Sequence, residues 1–378
     1  MLNRLIALAL VIGIGALSGH AIPAARAGGP QSSVDPQGTV TVPALTVPLS
    51  EFLSAPARSG TAAYLNALQS QSGKVLAMSA HGLSIAEQRR MAAEFFRPAL
   101  EETKRLYPIE SHAETIGGVY VDVITPPEGI PDSNLHRVLI NLHGGGFVMG
   151  ARVIGALESI PVASLGRIKV LTVDYREGPE FKFPAASEDV TAVYRELLKT
   201  YPPQNIGIYG CSAGGFLTAE AVAWIAKQQL PRPGAVGIFC ASAGGWLGGD
   251  SGHLALQLIG LPGVDPAQSK GHFSVSDVAY FSDANLDDPL VAPIRSDTVL
   301  ARFPPTLVLT STRDNALSSA VYMHTQLDRL GVDAELHVFE GLPHAFFTFE
   351  PDFPESRTAT QVIVKFFEKH LGSAPPGR

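Results

Sequence analysis

Cysteine is nearly missing from this chain: Cys211 and Cys240 are the only 2 in 378 residues. So few thiols exclude a disulfide framework and a cysteine-based zinc site. Basic runs are missing as well. The 28 Lys and Arg are scattered among 35 Asp and Glu, for a net charge of −7, which argues against a nucleic-acid partner. No His/Asp/Glu cluster has metal-ligand spacing and no dinucleotide fingerprint occurs, so neither a metal nor an organic cofactor is expected. The 37 Gly and 29 Pro recur with no fixed period, which excludes collagen-like and solenoid architectures. What remains is a chain 46% hydrophobic and 17% charged, apolar enough for a large core and too apolar for disorder.

The N-terminus reads as a secretory leader. Arg4 supplies a basic start, Leu5 to Leu17 is an uncharged apolar run, and Ala25-Arg26-Ala27 places small residues at the two recognition positions before a cut. The run is too short for a comfortable membrane span. Residues 1–27 are therefore expected to be removed and the product exported, to the periplasm or beyond; a retained N-terminal anchor is the competing reading. Residues 28–56 form a polar, Pro-containing arm. Residues 57–112 are a helical segment, in which Ser84 and Glu87 make a capping box. Residues 113–243 and 304–372 then form the two parts of one core, divided by a Gly-, Ser- and Asp-rich insertion over 244–303.

Within that core, short apolar strands alternate with amphipathic helices. Strands are expected at Val119–Ile124, Arg137–His143, Lys169–Asp174, Asn205–Gly210, Ala235–Cys240, Thr306–Ser311 and Ala334–Phe339. Helices are expected at Ile154–Leu165, Ala185–Thr200, Ala213–Lys227, Leu317–Leu330 and Ala359–Leu371. Such a rhythm calls for an α/β fold with a mostly parallel central sheet and helices on both faces. In sheets of that kind chemistry sits at the carboxyl ends of strands.

Four features stand at those ends. Gly210-Cys211-Ser212-Ala213-Gly214 joins a strand to an apolar helix, a setting in which a sharp turn projects a nucleophilic hydroxyl. Ser242, in the similar Cys240-Ala241-Ser242-Ala243-Gly244, lacks the earlier glycine and a following helix, and reads as a loop residue. His143-Gly144-Gly145-Gly146-Phe147 can turn backbone N–H groups toward one point. With Ala213, the amides of Gly144 and Gly145 make a credible oxyanion hole. A phosphate-cradling loop would instead want a following Lys and Ser or Thr, where this chain has Val148 and Met149. His143 reads as a residue that stabilises the bend. Asp314 and His344 follow the last two strands in the order an orienting acid and a base should take after the nucleophile. His337 lies within a strand pattern, His324 and Asp328 within a helix, and Glu340 is a possible supporting acid.

These motifs resemble the hormone-sensitive-lipase-like family of α/β-hydrolase esterases. Asp174-Tyr175-Arg176, Phe183-Pro184-Ala185-Ala186 and Asp288-Pro289-Leu290 extend the likeness, which runs from about Val119 to the C-terminal helix. The chain departs from the family's wording at three points. Cys211 stands where Asp is usual, Arg313-Asp314-Asn315 replaces the common Asp-Pro sequence, and Ala345 stands where Gly follows the histidine. The resemblance implies hydrolysis of a small-molecule ester by water with no metal, and a helical and loop lid built from Thr61–Leu106 and the insertion. Lactone or amide hydrolysis would use the same groups, and a binding protein on an inactive hydrolase scaffold is the reading from another class. Phe147 and Trp246 are candidate pocket walls. A serine–imidazole mechanism further predicts that kcat/KM rises with pH as the imidazole loses its proton and then stays flat.

Overall fold

The structure is a computed structural model in which residues 32–42, 45–66, 83–245, 248–259 and 278–372 are described. The expected leader and Trp246 lie outside the described residues. A small antiparallel pair, β1 (Ser33–Val34) and β2 (Val40–Thr41), belongs to the N-terminal arm. The main sheet contains β3 (Glu110–Ile116), β4 (Val119–Thr125), β5 (Val138–Leu142), β6 (Lys169–Val173), β7 (Ile206–Cys211), β8 (Ala235–Phe239), β9 (Thr306–Arg313) and β10 (Ala334–Pro343). Its order is β10-β9-β8-β7-β5-β6-β4-β3; β4 runs antiparallel to both of its neighbours, β6 and β3, and the other neighbouring pairs are parallel.

Side-chain alternation along these strands builds a core on each face. Val138, Ile140 and Leu142 enter one cluster with Ile206, Ile208, Val236, Ile238 and Val308. Leu139, Val170, Tyr209, Phe239, Leu307 and Leu309 enter the other. Residues 55–66 form helix α1. The longer helices that follow are α2 (Ile85–Leu106), α3 (Val153–Gly166), α4 (Ala185–Leu197), α5 (Ala213–Lys227), α6 (Gly249–Leu258), α7 (Leu317–Arg329) and α8 (Pro354–His370). Residues of α4, α5 and α7 cover the first face, and residues of α3 and α8 the second. Helix α5 is buried without a break from Ala213 to Ile225, so its lack of a polar face follows from its place in the middle. Among the described residues no helix is long and apolar enough to cross a membrane.

Ser84 caps α2 and Glu87 reciprocates, as the sequence suggests. Ala92, Phe95 and Phe96 of that helix pack on Met149, Ile154 and Leu157, directly beyond the glycine bend. Arg89 adds a polar latch. Its guanidinium donates to the carbonyls of Val148 (2.7 Å) and Gly178 (2.9 Å) and pairs with Glu180 through two hydrogen bonds of 2.7 and 2.8 Å. The N-terminal helical segment is thereby fixed to the loop that carries the bend.

Three elements differ from the sequence expectation. Strand β3 lacks apolar alternation and is almost wholly exposed at the sheet edge. Helix α6 occupies part of the insertion, and α8 begins at Pro354, a turn ahead of the expected start.

Candidate active site

Ser212 sits at the β7–α5 junction with φ 57° and ψ −122°, a conformation that costs a non-glycine residue energy. The turn is tight because glycine stands two residues before and two residues after Ser212. A Cβ on Gly210 would stand 2.2 Å from the Leu142 carbonyl oxygen, and one on Gly214 would stand 1.8 Å from it. The Ser212 amide donates to the Phe239 carbonyl (2.8 Å), which locks the elbow to β8. The residue is only 4% exposed.

Asp314 and His344 come together as expected. Asp314 follows β9, is completely buried, and its Oδ1 lies 2.6 Å from His344 Nδ1. The same oxygen accepts from the Ala316 amide (2.8 Å), and Oδ2 accepts from Thr310 Oγ1 (2.8 Å). Burial alone would raise this carboxyl. The facing imidazole and the two other donors outweigh it, and Asp314 stays below the usual carboxylate range. His344 directly follows β10, and Ala345 after it is left-handed at φ 55°, a backbone that glycine takes without strain. Glu340 is exposed and is not the acid that bonds His344.

The glycine bend departs from expectation at one amide. Gly144 N–H donates to Glu158 Oε1 at 2.9 Å, so it is already committed inside the protein and cannot be the donor the sequence suggested. Gly145 (φ 123°) and Gly146 (φ 66°) turn the chain, and a Cβ on Gly145 would lie 1.7 Å from the Met149 carbonyl oxygen. No acceptor among the described residues takes the N–H of Gly145, Gly146 or Ala213. His143 supports the bend: its Nδ1 lies 2.9 Å from the Gly144 carbonyl and its ring stacks on Tyr175 at 4.3 Å.

Two further readings are settled by packing. Phe147 is fully buried among Tyr175, Phe216, Tyr280 and Phe281, which makes it core and not a pocket wall. Tyr280 and Phe281 come from the insertion, so this ring cluster also pins that segment to the core. Ser242 is buried with its hydroxyl donating to the Gly245 carbonyl (2.8 Å), as a loop residue would. Cys211 and Cys240 are free, buried and in side-chain contact, and burial pushes both thiols above their ordinary value. Cys240 Sγ, Asp314 and His344 lie within 4.8 Å of one another, a set of atoms types that can ligate a cation. In this chain Asp314 and His344 already engage each other, and Cys240 Sγ accepts from the Ala345 amide (3.4 Å). A groove of about 690 Å³ lined by Val222, Lys227, Leu290 and Arg302 lies by the C-terminal end of α5, roughly 20 Å of helix from Ser212.

Three buried glutamates carry a stability prediction. Burial raises Glu158 and Glu177 to about 8, and raises Glu220, whose two oxygens have no hydrogen-bond partner among the described residues, well above its ordinary value. The folded protein therefore keeps protons that the unfolded chain releases above about pH 4.5. Each group then removes stability as pH rises, by roughly 1.4 kcal/mol per pH unit at most, up to its folded pKa. Melting temperature should fall between pH 5 and pH 8, and Glu220→Gln should flatten the slope. A melting temperature that rises over that interval would contradict this.

The sheet order and the strained serine turn define an α/β-hydrolase. The profile of a family described as "alpha/beta hydrolase fold" matches residues 139–348. An esterase of Acinetobacter venetianus is 24% identical over 280 residues, 74% of this chain and 90% of that protein. The crystal structure of an esterase E25 superimposes with a TM-score of 0.74 at 28% identity, covering 88% of this chain and 99% of that one. A second, described as an esterase from the bacterial hormone-sensitive lipase family, gives 0.65 at 27% identity, covering 84% and 99%. The chain belongs to the α/β-hydrolase fold family, in its hormone-sensitive-lipase-like group.

Proposed function

We propose that the protein is a serine carboxylester hydrolase that cleaves small to medium esters through an acyl-enzyme. His344 takes the Ser212 proton as the hydroxyl attacks the ester carbonyl, and Asp314 holds the Nδ1–H tautomer and stabilises the imidazolium. The amides of Gly145, Gly146 and Ala213 receive the oxyanion, and His344 then protonates the departing alcohol. Water repeats the sequence and releases the acid. The observation that carries this reading is the buried Asp314–His344 pair at 2.6 Å, at strand ends beside an elbow that holds Ser212 at φ 57°. That the Acinetobacter relative and the E25 structure are esterases supports the ester as the bond cleaved.

The experiment is a hydrolysis screen of esters varied in acyl and alcohol length, with lactones and amides alongside. Short and medium esters should turn over fastest. Preference for lactones or amides would move the substrate class and keep the mechanism; no turnover of any member would favour a binding protein on this scaffold. From the leader-like N-terminus we also propose export, with lid roles for 57–112 and 244–303. N-terminal sequencing of the native protein should begin at or near Gly28, and Met1 on a cytoplasmic product would overturn export.

A further inference from the structure

We propose that Glu158 is a positioning residue for the oxyanion bend: its carboxyl, carried on α3, clamps the Gly144 amide to strand β5 and to the elbow. This inference rests on the serine-hydrolase reading of the site. Glu158 is an acid in an otherwise apolar stretch of helix, and it is buried where an acid has no solvent reason to be. Its Oε1 accepts from Gly144 N–H (2.9 Å) and its Oε2 meets Asn141 Nδ2 (2.9 Å) on β5. The Cys211 amide, one residue before Ser212, lies near enough to pull the carboxyl down together with Asn141 and Gly144, against a larger rise from burial. Three segments that must stay in register for Ser212 to face Gly145 and Gly146 therefore meet on one side chain. Gly144 is packed against the same groups: a Cβ there would lie 3.1 Å from Cys211 O, 3.3 Å from Glu158 Oε1 and 3.5 Å from Ser212 Cβ.

The clamp carries a charge as well as a shape. The titratable groups that feel this carboxyl are the Cys211 thiol and the Tyr209 and Tyr175 phenols, all raised by burial first and by Glu158 in addition. No cation among the described residues lowers it, and burial holds it near 8. At neutral pH the group is largely a neutral acid. Asn141 Oδ1, buried and without a hydrogen-bond partner among the described residues, accepts a hydrogen bond from the protonated acid once the Asn141 amide is turned over, and Oε1 keeps Gly144. When Glu158 ionises, a negative charge appears behind the bend that must receive the oxyanion. Turnover should then fall on the alkaline side by about tenfold, in place of the plateau expected from the imidazole alone.

Glu158→Gln and Glu158→Ala separate shape from charge. Each is assayed for kcat and KM between about pH 6 and 9.5, with active sites counted by a fluorescent phosphonate and melting followed in parallel. Glu158→Gln can still accept from Gly144 and donate to a turned Asn141, so it should keep kcat within about fivefold at neutral pH and lose the alkaline fall. Glu158→Ala should lose about 100-fold in kcat per labelled site at nearly unchanged KM. An alanine variant whose labelled sites turn over within about threefold of the parent would overturn the clamp. An alkaline fall that is absent from the parent, or that persists in Glu158→Gln, would overturn the charge effect. If the alanine variant does not fold, the pH profile of Glu158→Gln decides. A parent in which the phosphonate leaves Ser212 unlabelled defeats the serine-hydrolase reading itself, and this inference with it, whatever the Glu158 variants do.

Discussion

Ser212→Ala should lower kcat by about 10⁴- to 10⁶-fold, while Ser242→Ala should leave most of it. Both serines follow a buried strand and precede Ala and Gly, so local sequence barely separates them. Their backbones do. Ser212 is strained at φ 57° at the start of a 15-residue helix. The Ser242 hydroxyl is consumed by the Gly245 carbonyl at 2.8 Å. Removing the first deletes the attacking atom; removing the second loosens a loop. Kinetics on both purified variants distinguish them, and a dead Ser242→Ala beside an active Ser212→Ala would relocate the site.

Asp314→Asn should lower kcat by about 10²- to 10⁴-fold with little change in melting temperature. The side chains are nearly the same shape, and an Asn oxygen can still accept from Ala316 N–H. What disappears is the charge that favours imidazolium as His344 takes the proton, together with the certainty of its tautomer. Because Asp314 sits below the usual carboxylate range, the parent should keep that charge throughout the neutral region. An unaltered rate in this variant would show that another acid orients His344, with Glu340 the first to test.

Seven strands and five helices of the core were legible because buried strands read as short apolar runs and the helices between them as longer amphipathic or, for α5, unbroken apolar ones. Strand β3 was not, since Glu110-Ser111-His112-Ala113-Glu114 is an exposed edge with no apolar face. Its signal lay in the turn. Gly117 and Gly118, at φ 60° and 84°, are a two-residue hairpin connection to β4. Helix α6 was hidden by Gly249 and Gly252, which weaken helix propensity. At the site, strand ends announced Ser212, Asp314 and His344. Which of three successive glycine amides the protein keeps for itself could not be read, because it depends on Glu158 reaching across from another element. The trace was the acid itself, alone between Leu157 and Ser159 in an apolar helix.

The most direct test of the account is to treat the protein with a fluorescent phosphonate ester and locate the adduct by peptide mass spectrometry. One covalent adduct is expected, on Ser212, formed in step with loss of ester hydrolysis and abolished in Ser212→Ala. Full loss of activity with the label elsewhere, or hydrolysis that continues after Ser212 is fully labelled, would contradict it.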